Sequence, residues 1–440
     1  MSLIPQIIFL LLMGIGSFLF LKRIRLIQKS IQLGRADLPT DQPVQRMGQV
    51  LRLALGQQKM FRNIPVAILH LVIYAGFIII NIEVLEIVLD GLTGAHRIFL
   101  QPMGSLYPIL INAFEWLALG VLIACVFFWV RRNLMSIRRL QSSDLNGWPR
   151  NDANLILITE VVLMSLFLFM NAADTLLQTR NVSAYASAET GLFAVSQYLH
   201  PLLTDLSNTA LIAIERTCWW LHIAGIIAFL NYLPYSKHLH ILLAFPNAYY
   251  APLKTGKGKM DNMPSIQQEV LLAMNPSATV DPSASTSVGR FGAKDVQDLG
   301  QKNLLDAYSC TECGRCSAAC PAQHTGKLLS PRRIMMRTRD RMEDLQKLPA
   351  DQRDNDGKSL LHDYISVEEL RACTTCQACV EECPVSINPM DIILQLRRYL
   401  VMEESNAPSE WTGMFANVEN NFAPWKFSPE DRDAWMKEQK

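Results

Sequence analysis

The residues in this 440-residue sequence best placed to do chemistry are eight cysteines arranged in two runs. Cys310, Cys313, Cys316 and Cys320 precede Pro321, and Cys373, Cys376, Cys379 and Cys383 precede Pro384, so each run reads C-x-x-C-x-x-C-x-x-x-C-P. Three thiolates with two residues between neighbours can wrap one cube of iron and sulfide, while the fourth, beside a proline, reaches the other cube. The spacing predicts two 4Fe-4S clusters with crossed ligation. One takes Cys310, Cys313, Cys316 and Cys383, and the other Cys373, Cys376, Cys379 and Cys320. Crossing forces the clusters close together, which permits rapid electron hopping. A pair of zinc sites is the competing reading, but zinc motifs pair two C-x-x-C units rather than repeating a four-cysteine run.

A second group of candidates is the histidines within or beside apolar stretches, where titratable groups are costly and usually functional. His70 lies in ILHLVIYAGF, and His222, His238 and His240 lie in LHIAGIIAFLNYLPYSKHLHI. On a continuous helix His222 and His240, 18 residues apart, share one face after about five turns. His238 then projects nearly the opposite way, unless Pro234 rotates the last turn. Two histidines from facing helices can hold a heme iron as a low-spin b-type centre. His70 and His240, both near the same end of their spans, are the expected axial pair, and His222 is the candidate ligand of a second heme. Interfacial polar histidines are the alternative.

These groups must be positioned by two unlike halves. Half of the chain is hydrophobic, and almost all of the apolar excess precedes Phe245. Five stretches, Leu3–Leu21, Ile64–Leu89, Leu106–Val130, Ala153–Asn171 and Thr209–Leu233, approach or exceed the ~20 residues that cross a bilayer. The first has no basic segment before it and no small-residue cleavage site, so it reads as a retained anchor. Basic residues follow spans one (Lys22, Arg23, Arg25, Lys29), three (Arg131, Arg132, Arg138, Arg139) and five (Lys237, Lys254, Lys257, Lys259). The intervening loops hold only Arg97 and Arg180. The positive-inside rule puts the N-terminus outside and everything after span five in the cytoplasm of a bacterial or archaeal cell membrane. Residues 247–303 read as a linker or strap, and helical patterns at Ser330–Leu345 and Pro389–Glu404 make the soluble half helical. The expected fold is all-α: a five-helix transmembrane bundle (1–246), then a two-cluster domain (304–404) and a partner-contacting tail (405–440).

Near-equal numbers of basic and acidic residues, 41 and 40, supply no bulk field for nucleic acid. Ten cysteines, eight of them in the two runs, argue for metal in a reducing compartment rather than a disulfide scaffold. Cys125 and Cys218 sit in apolar spans and read as packing residues. Glu83, Glu86, Glu115, Glu215 and Arg216 lie in the outer halves of their spans and suit either a quinone pocket with a proton path or a salt-bridge cluster.

The motifs CTECGRCSAACPA, SPRRIMMR, CTTCQACVEECPV and NPMDIILQLRRYL resemble the helical two-cluster ferredoxin domain of heterodisulfide reductase and succinate dehydrogenase type subunits. The histidine segments resemble the cytochrome b subunit of respiratory nitrate reductase and its relatives. That resemblance implies a diheme arrangement whose second ligand on span two would fall near Ile80 or Asn81, neither a usual heme ligand. It leaves His222 without a partner unless His96 or His200 folds in from an outer loop. In related fused proteins a CCG domain follows the clusters, so a separate cytoplasmic redox subunit of CCG type is the implied partner.

Together these readings predict an oxidoreductase subunit that moves electrons between a cytoplasmic partner and menaquinone or ubiquinone through two clusters and b-type heme. Absence of a flavin or nicotinamide fingerprint places substrate chemistry elsewhere. The rivals are a heme-free membrane anchor with an iron–sulfur relay, and a subunit that reduces a disulfide or sulfur compound.

Overall fold

The computed structural model describes residues 3–186, 188, 190–253, 270–275, 277, 290–353, 356–426, 428–431 and 433–437. Five helices are long and apolar enough to cross a membrane. They are α1 (Ile4–Ile31), α2 (Ile64–Thr93), α3 (Leu106–Asn133), α4 (Trp148–Thr179) and α5 (Asn208–Tyr232). The first turns of α1, α2 and α4 each contain a proline, where a missing N–H costs nothing. Asn63 caps α2 by accepting from the Val66 N–H at 3.4 Å, and Ser207 caps α5 by accepting from the Ala210 N–H at 3.2 Å. Gly94 ends α2 at φ +75°, a left-handed conformation that disfavours a side chain.

The bundle packs in sequence, α2 on α3, α3 on α4 and α4 on α5, with α1 against α5 and α2. Phe9 of α1 is fully buried and meets Trp219 and Trp220 of α5. Gly16 lets α1 approach closely, because a Cβ there would come within 2.4 Å of Ile227. The helices extend past the expected spans, since charged ends such as Lys22–Lys29 continue the α1 helix beyond its apolar part.

Helix α5 ends earlier than the histidine argument requires. After Tyr232 come two tight turns, Leu233–Tyr235 and Lys237–Leu239, separated by Ser236 in extended conformation. A new helix, α6 (His240–Tyr250), begins at His240. Pro234 lacks the N–H a continuing helix needs, so the single-face projection from His222 to His240 does not apply. His238 is not turned away: its ring stacks on His240, with centroids 5.7 Å apart.

The second half is built on α7 (Gln301–Ser309), α8 (Pro331–Lys347) and α9 (Pro389–Met402). No strand occurs among the described residues, only two isolated bridges. Its core joins Leu304, Ile334, Met342, Ile392 and Leu396 to Ile27, Leu233 and Leu239 from the membrane half. One hydrophobic core therefore spans both halves.

Polar ties reinforce this junction. Arg23 holds Glu343 at 2.7 Å, Arg62 reaches Glu381 and Glu382, and buried Arg332 donates to the Arg139 carbonyl at 2.9 Å and to Asp144 at 3.1 Å. The cluster half thus sits against the end of the bundle that carries the basic loops. Most of the expected linker lies outside the described residues, as do Lys254, Lys257 and Lys259. At its near end α6 runs across residue 247, and Asn247 donates to the Val385 carbonyl at 2.8 Å. At its far end Asp295 pairs with Arg341 at 2.5 Å and Ala293 N–H donates to the Gln395 carbonyl, so residues 290–303 pack into the cluster half. Beyond α9, the helix α10 (Ser409–Asn421) leaves Trp411, Met414, Phe415 and Val418 exposed.

Candidate metal centres

Each cysteine run begins where a helix stops. Helix α7 ends at Cys310, and the short helix Val367–Ala372 ends at Cys373. The chain then winds identically in both runs. Glu312 (φ 55°) and Gly314 (φ 72°) are left-handed in the first, and Thr375 (φ 54°) and Gln377 (φ 62°) occupy the equivalent positions in the second. Non-glycine residues held in this region mark sites where the surroundings over-determine the backbone. Alternate left-handed residues curl the loop so that three sulfurs and several N–H groups face inward. The Thr375 N–H points at Cys373 Sγ (3.4 Å), and the Ile387 N–H points at Cys383 Sγ (3.3 Å). At Gly314 a Cβ would lie 2.6 Å from Arg332 Nη1 and 3.1 Å from the Arg139 carbonyl, so space favours glycine there, whereas Gln377 holds a similar φ with a side chain.

The structure brings cysteines from the two runs together. Cys320, Cys373, Cys376 and Cys379 line one small pocket. Cys310, Cys313, Cys316 and Cys383 line another cavity, whose wall also includes Cys379. Burial, then the charge of Cys313, pushes the Cys383 thiol up to about 12, and burial with Cys373 and Cys320 does the same for Cys379. Crowding thiolates in so poorly solvated a place is unfavourable unless cations hold them. Among the described residues, no three Cys, His, Asp or Glu side chains converge on a point as a single ion requires. A zinc ion needs its sulfurs about 2.3 Å away. Four sulfurs around one pocket suit a four-iron cube.

The cavity of the first-run cysteines continues into the bundle as one space of about 470 Å³, within the range that cofactors occupy. Its walls include His70, His222, His238 and His240. His70 Nδ1 meets Gln57 Oε1 at 3.0 Å, His240 Nδ1 the Lys237 carbonyl at 3.0 Å, and His222 Nδ1 the Leu163 carbonyl at 3.0 Å. Such anchoring fixes the tautomer and leaves Nε2 for a metal or an incoming donor. His238 Nδ1 is buried without a partner, and burial followed by the charge of His240 and His70 pushes its imidazole down to about 3. Burial also lowers His240. Burial thus favours the neutral form of both, and neutral imidazole is the form that ligates.

Basic groups crowd the end of this cavity next to the cysteines: Arg131, Arg132, Arg139, Lys237 and Arg315. Arg132 Nε and Nη2 are buried with no partner, which suits a ligand bearing carboxylates. The donor set, the apolar walls and the unpartnered Arg132 among these cations fit heme.

Apart from Cys125, which is part of the cavity wall, the remaining sequence candidates lie elsewhere. His96 meets Asp174 at 3.2 Å and stacks edge-on against Tyr185, and His200 meets Thr175 Oγ1 at 2.9 Å, so neither joins His222. Glu86 accepts from the Tyr107 hydroxyl (2.8 Å) and the Phe99 N–H (2.9 Å), and Glu115 accepts from the Val195 N–H (2.7 Å). Buried Arg97 donates to Asp174 at 2.6 Å, to Asn171 at 3.0 Å and to Tyr107 at 3.0 Å. Glu215 pairs with Arg216 and accepts from Tyr185 at 2.8 Å. These bonds fasten the outer loops to the helix ends, and none of the five sequence-flagged residues lines the cavity. Cys125 and Cys218 are buried in α3 and α5. The sequence reading missed Glu160, the only carboxylate lining the cavity among the described residues. It is the one acidic residue of α4 away from both helix ends, a signal already present in the sequence.

Residues 302–384 match the 4Fe-4S dicluster domain family. Over 98% of the chain the sequence is 26% identical to the probable iron-sulfur-binding oxidoreductase FadF of Bacillus subtilis. Over 90% it is 25% identical to the EtfAB:quinone oxidoreductase of Syntrophomonas wolfei. Over 25% it is 40% identical to one subunit of the ferredoxin/F420H2-dependent CoB-CoM heterodisulfide reductase of Methanosarcina acetivorans, covering 56% of that protein. The chain spans 61% and 55% of the first two relatives. No solved structure matches. The chain is thus related to iron–sulfur oxidoreductases and heterodisulfide reductase subunits, and it carries a 4Fe-4S dicluster domain.

Proposed function

We propose that the chain is a membrane electron-transfer subunit that links a cytoplasmic redox partner to the quinone pool through two crossed 4Fe-4S clusters and b-type heme. The observation that carries this reading is the single cavity lined by Cys310, Cys313, Cys316 and Cys383 at one end and by His70 and His240 further in. Bound there, the clusters and heme would carry electrons one at a time between water-soluble and lipid-soluble carriers.

The chain's own residues divide the work. Cys310, Cys313, Cys316 and Cys383 hold the cluster nearer the bundle, and Cys320, Cys373, Cys376 and Cys379 hold the outer one. His70 and His240 ligate heme, with Gln57 and the Lys237 carbonyl orienting their rings. Arg131, Arg132 and Arg139 neutralise its carboxylates, and the apolar walls exclude water. The basic loops favour a cytoplasmic position for this end. The name of the Syntrophomonas relative favours EtfAB as partner, while the heterodisulfide reductase relatives favour a separate subunit, and the sequence resemblance suggests one of CCG type.

Metal and heme analysis of the purified full chain tests the reading. Eight irons and eight acid-labile sulfides per chain with a b-type pyridine hemochrome are expected. Stoichiometric zinc with little sulfide would contradict the clusters. Full clusters without hemochrome would leave a heme-free relay.

A further inference from the structure

We propose that the inner part of the cavity, between His222 and Glu160, is the quinone site rather than a second heme site. This rests on the quinone-linked reading above and adds the place and the protein groups involved.

Glu160 lies 12 residues into α4, about 18 Å along the helix and so near the middle of a core about 30 Å thick. A carboxyl group there is costly, and Glu160 has no hydrogen-bond or ion-pair partner among the described residues. His222 is 1% exposed and lines the same cavity. Its Nδ1 is committed to the carbonyl of Leu163, which lies about one turn from Glu160 on the same helix. His222 and Glu160 are therefore held at neighbouring levels, one as a nitrogen acceptor and the other as a carboxyl group. On α2 the cavity is lined here by Ile80 and Asn81, so that helix supplies no second imidazole beside His222.

The cavity wall also reaches the outer surface of the bundle, where a lipid-soluble molecule would enter. Phe77 and Asn81 line the cavity, yet both are exposed on the outside of the bundle, Phe77 by 39%. This point lies about 20 Å along α2 from its start, within the depth of the hydrocarbon. A quinone ring can enter there from the bilayer and lie against Ile156 and Ile226 while its tail stays in lipid. A quinol has two O–H groups to donate, and the site supplies two acceptors, the His222 Nε2 and the Glu160 carboxylate.

In quinone reduction, two electrons arrive singly from a reduced flavin or iron–sulfur carrier on the cytoplasmic side. O–H bonds form at both carbonyl oxygens as the Nε2–H bond of a His222 imidazolium and the O–H bond of protonated Glu160 break, leaving a neutral imidazole and a carboxylate. Quinol oxidation reverses each transfer and returns both protons to the same atoms. The electron and proton routes thus meet at one place.

The test uses the full chain with its clusters and heme, and menadione as the probe. Calorimetric binding and stopped-flow reoxidation of the dithionite-reduced protein are compared with hemochrome content. For Glu160→Gln and His222→Gln we expect binding weakened at least about tenfold, the loss of a charged or strong hydrogen bond. Reoxidation should slow about 10²-fold. Heme content should match that of the unmodified protein. Phe77→Trp, which narrows that entry without touching either acceptor, should also weaken binding and carries the test if a polar variant fails to assemble. Loss of half the heme in His222→Gln would overturn the proposal, as would variants that bind and react like the unmodified chain. If the unmodified chain itself neither binds menadione nor is reoxidised by it, the quinone reading falls and takes this site with it.

Discussion

Lys237 joins the two halves of the redox path: its Nζ lies 2.8 Å from Glu312 Oε2, while its carbonyl accepts from His240 Nδ1 at 3.0 Å. Glu312 stands between Cys310 and Cys313, so one residue orients both a proposed heme ligand and a cluster loop. The pair is nearly buried, with side chains 10% and 4% exposed, and Arg339 meets the other Glu312 oxygen at 2.5 Å. Removing Lys237 leaves Glu312 with Arg339 alone, at a cost of part of the ~3–5 kcal/mol that breaking a buried pair carries. Lys237→Met should lower the unfolding temperature and the iron content together, and Lys237→Arg should recover part of both. Unchanged melting and iron in Lys237→Met would show that the contact is incidental.

Gly314 tests whether the left-handed winding of the first run matters. Alanine there carries a left-handed penalty of about 1–2 kcal/mol and also meets Arg332. Gly314→Ala should lose the cluster held mainly by the first run and keep the other. Iron analysis near half of the full content is the expected result.

Cys320→Ser addresses the crossing directly. Cys320 shares a pocket with Cys373, Cys376 and Cys379 rather than with its own run. Low-temperature paramagnetic resonance should show the second-run cluster perturbed and the first-run cluster intact. The opposite pattern would mean that each run closes on itself.

Arg341 is a structural counterpart far from the cofactors. Its side chain is 1% exposed and holds Asp295 and Asp356, each at 2.5 Å. Arg341→Ala should destabilise the cluster half by about 3 kcal/mol, read from thermal unfolding. Arg341 keeps the Asp356 carboxyl below its usual 3.8, so this stabilisation is present above that pH. It is lost as pH falls through the lower folded value. The deficit of the variant should therefore shrink in acid.

What the sequence makes legible follows from how local each feature is. Helices long enough to span a membrane depend on runs of apolar residues, and all five lie where those runs lie. The cysteine loops depend on spacing within a dozen residues, and the grouping of Cys320 with the second run follows from that spacing. The orientation of His238 depends on where α5 breaks. Pro234 announces a break but not the extended Ser236 that follows it, so a straight-helix projection places His238 on the wrong side. The outer acids are visible as charges, but their partners Tyr107, Asn171 and the loop N–H groups are distant in sequence. Glu160 is visible too, yet which way it faces is decided by packing of α4 against its neighbours.

The pairing of heme with the clusters is tested most directly by the b-type absorbance of His70→Ala and His240→Ala proteins, recorded beside the paramagnetic resonance of their clusters. His238→Ala serves as the control, because its Nδ1 lacks the anchoring that His70 and His240 share. Each of the first two variants should lose the heme band while both clusters remain, and His238→Ala should keep the band. Full heme in both His70→Ala and His240→Ala would contradict the assignment.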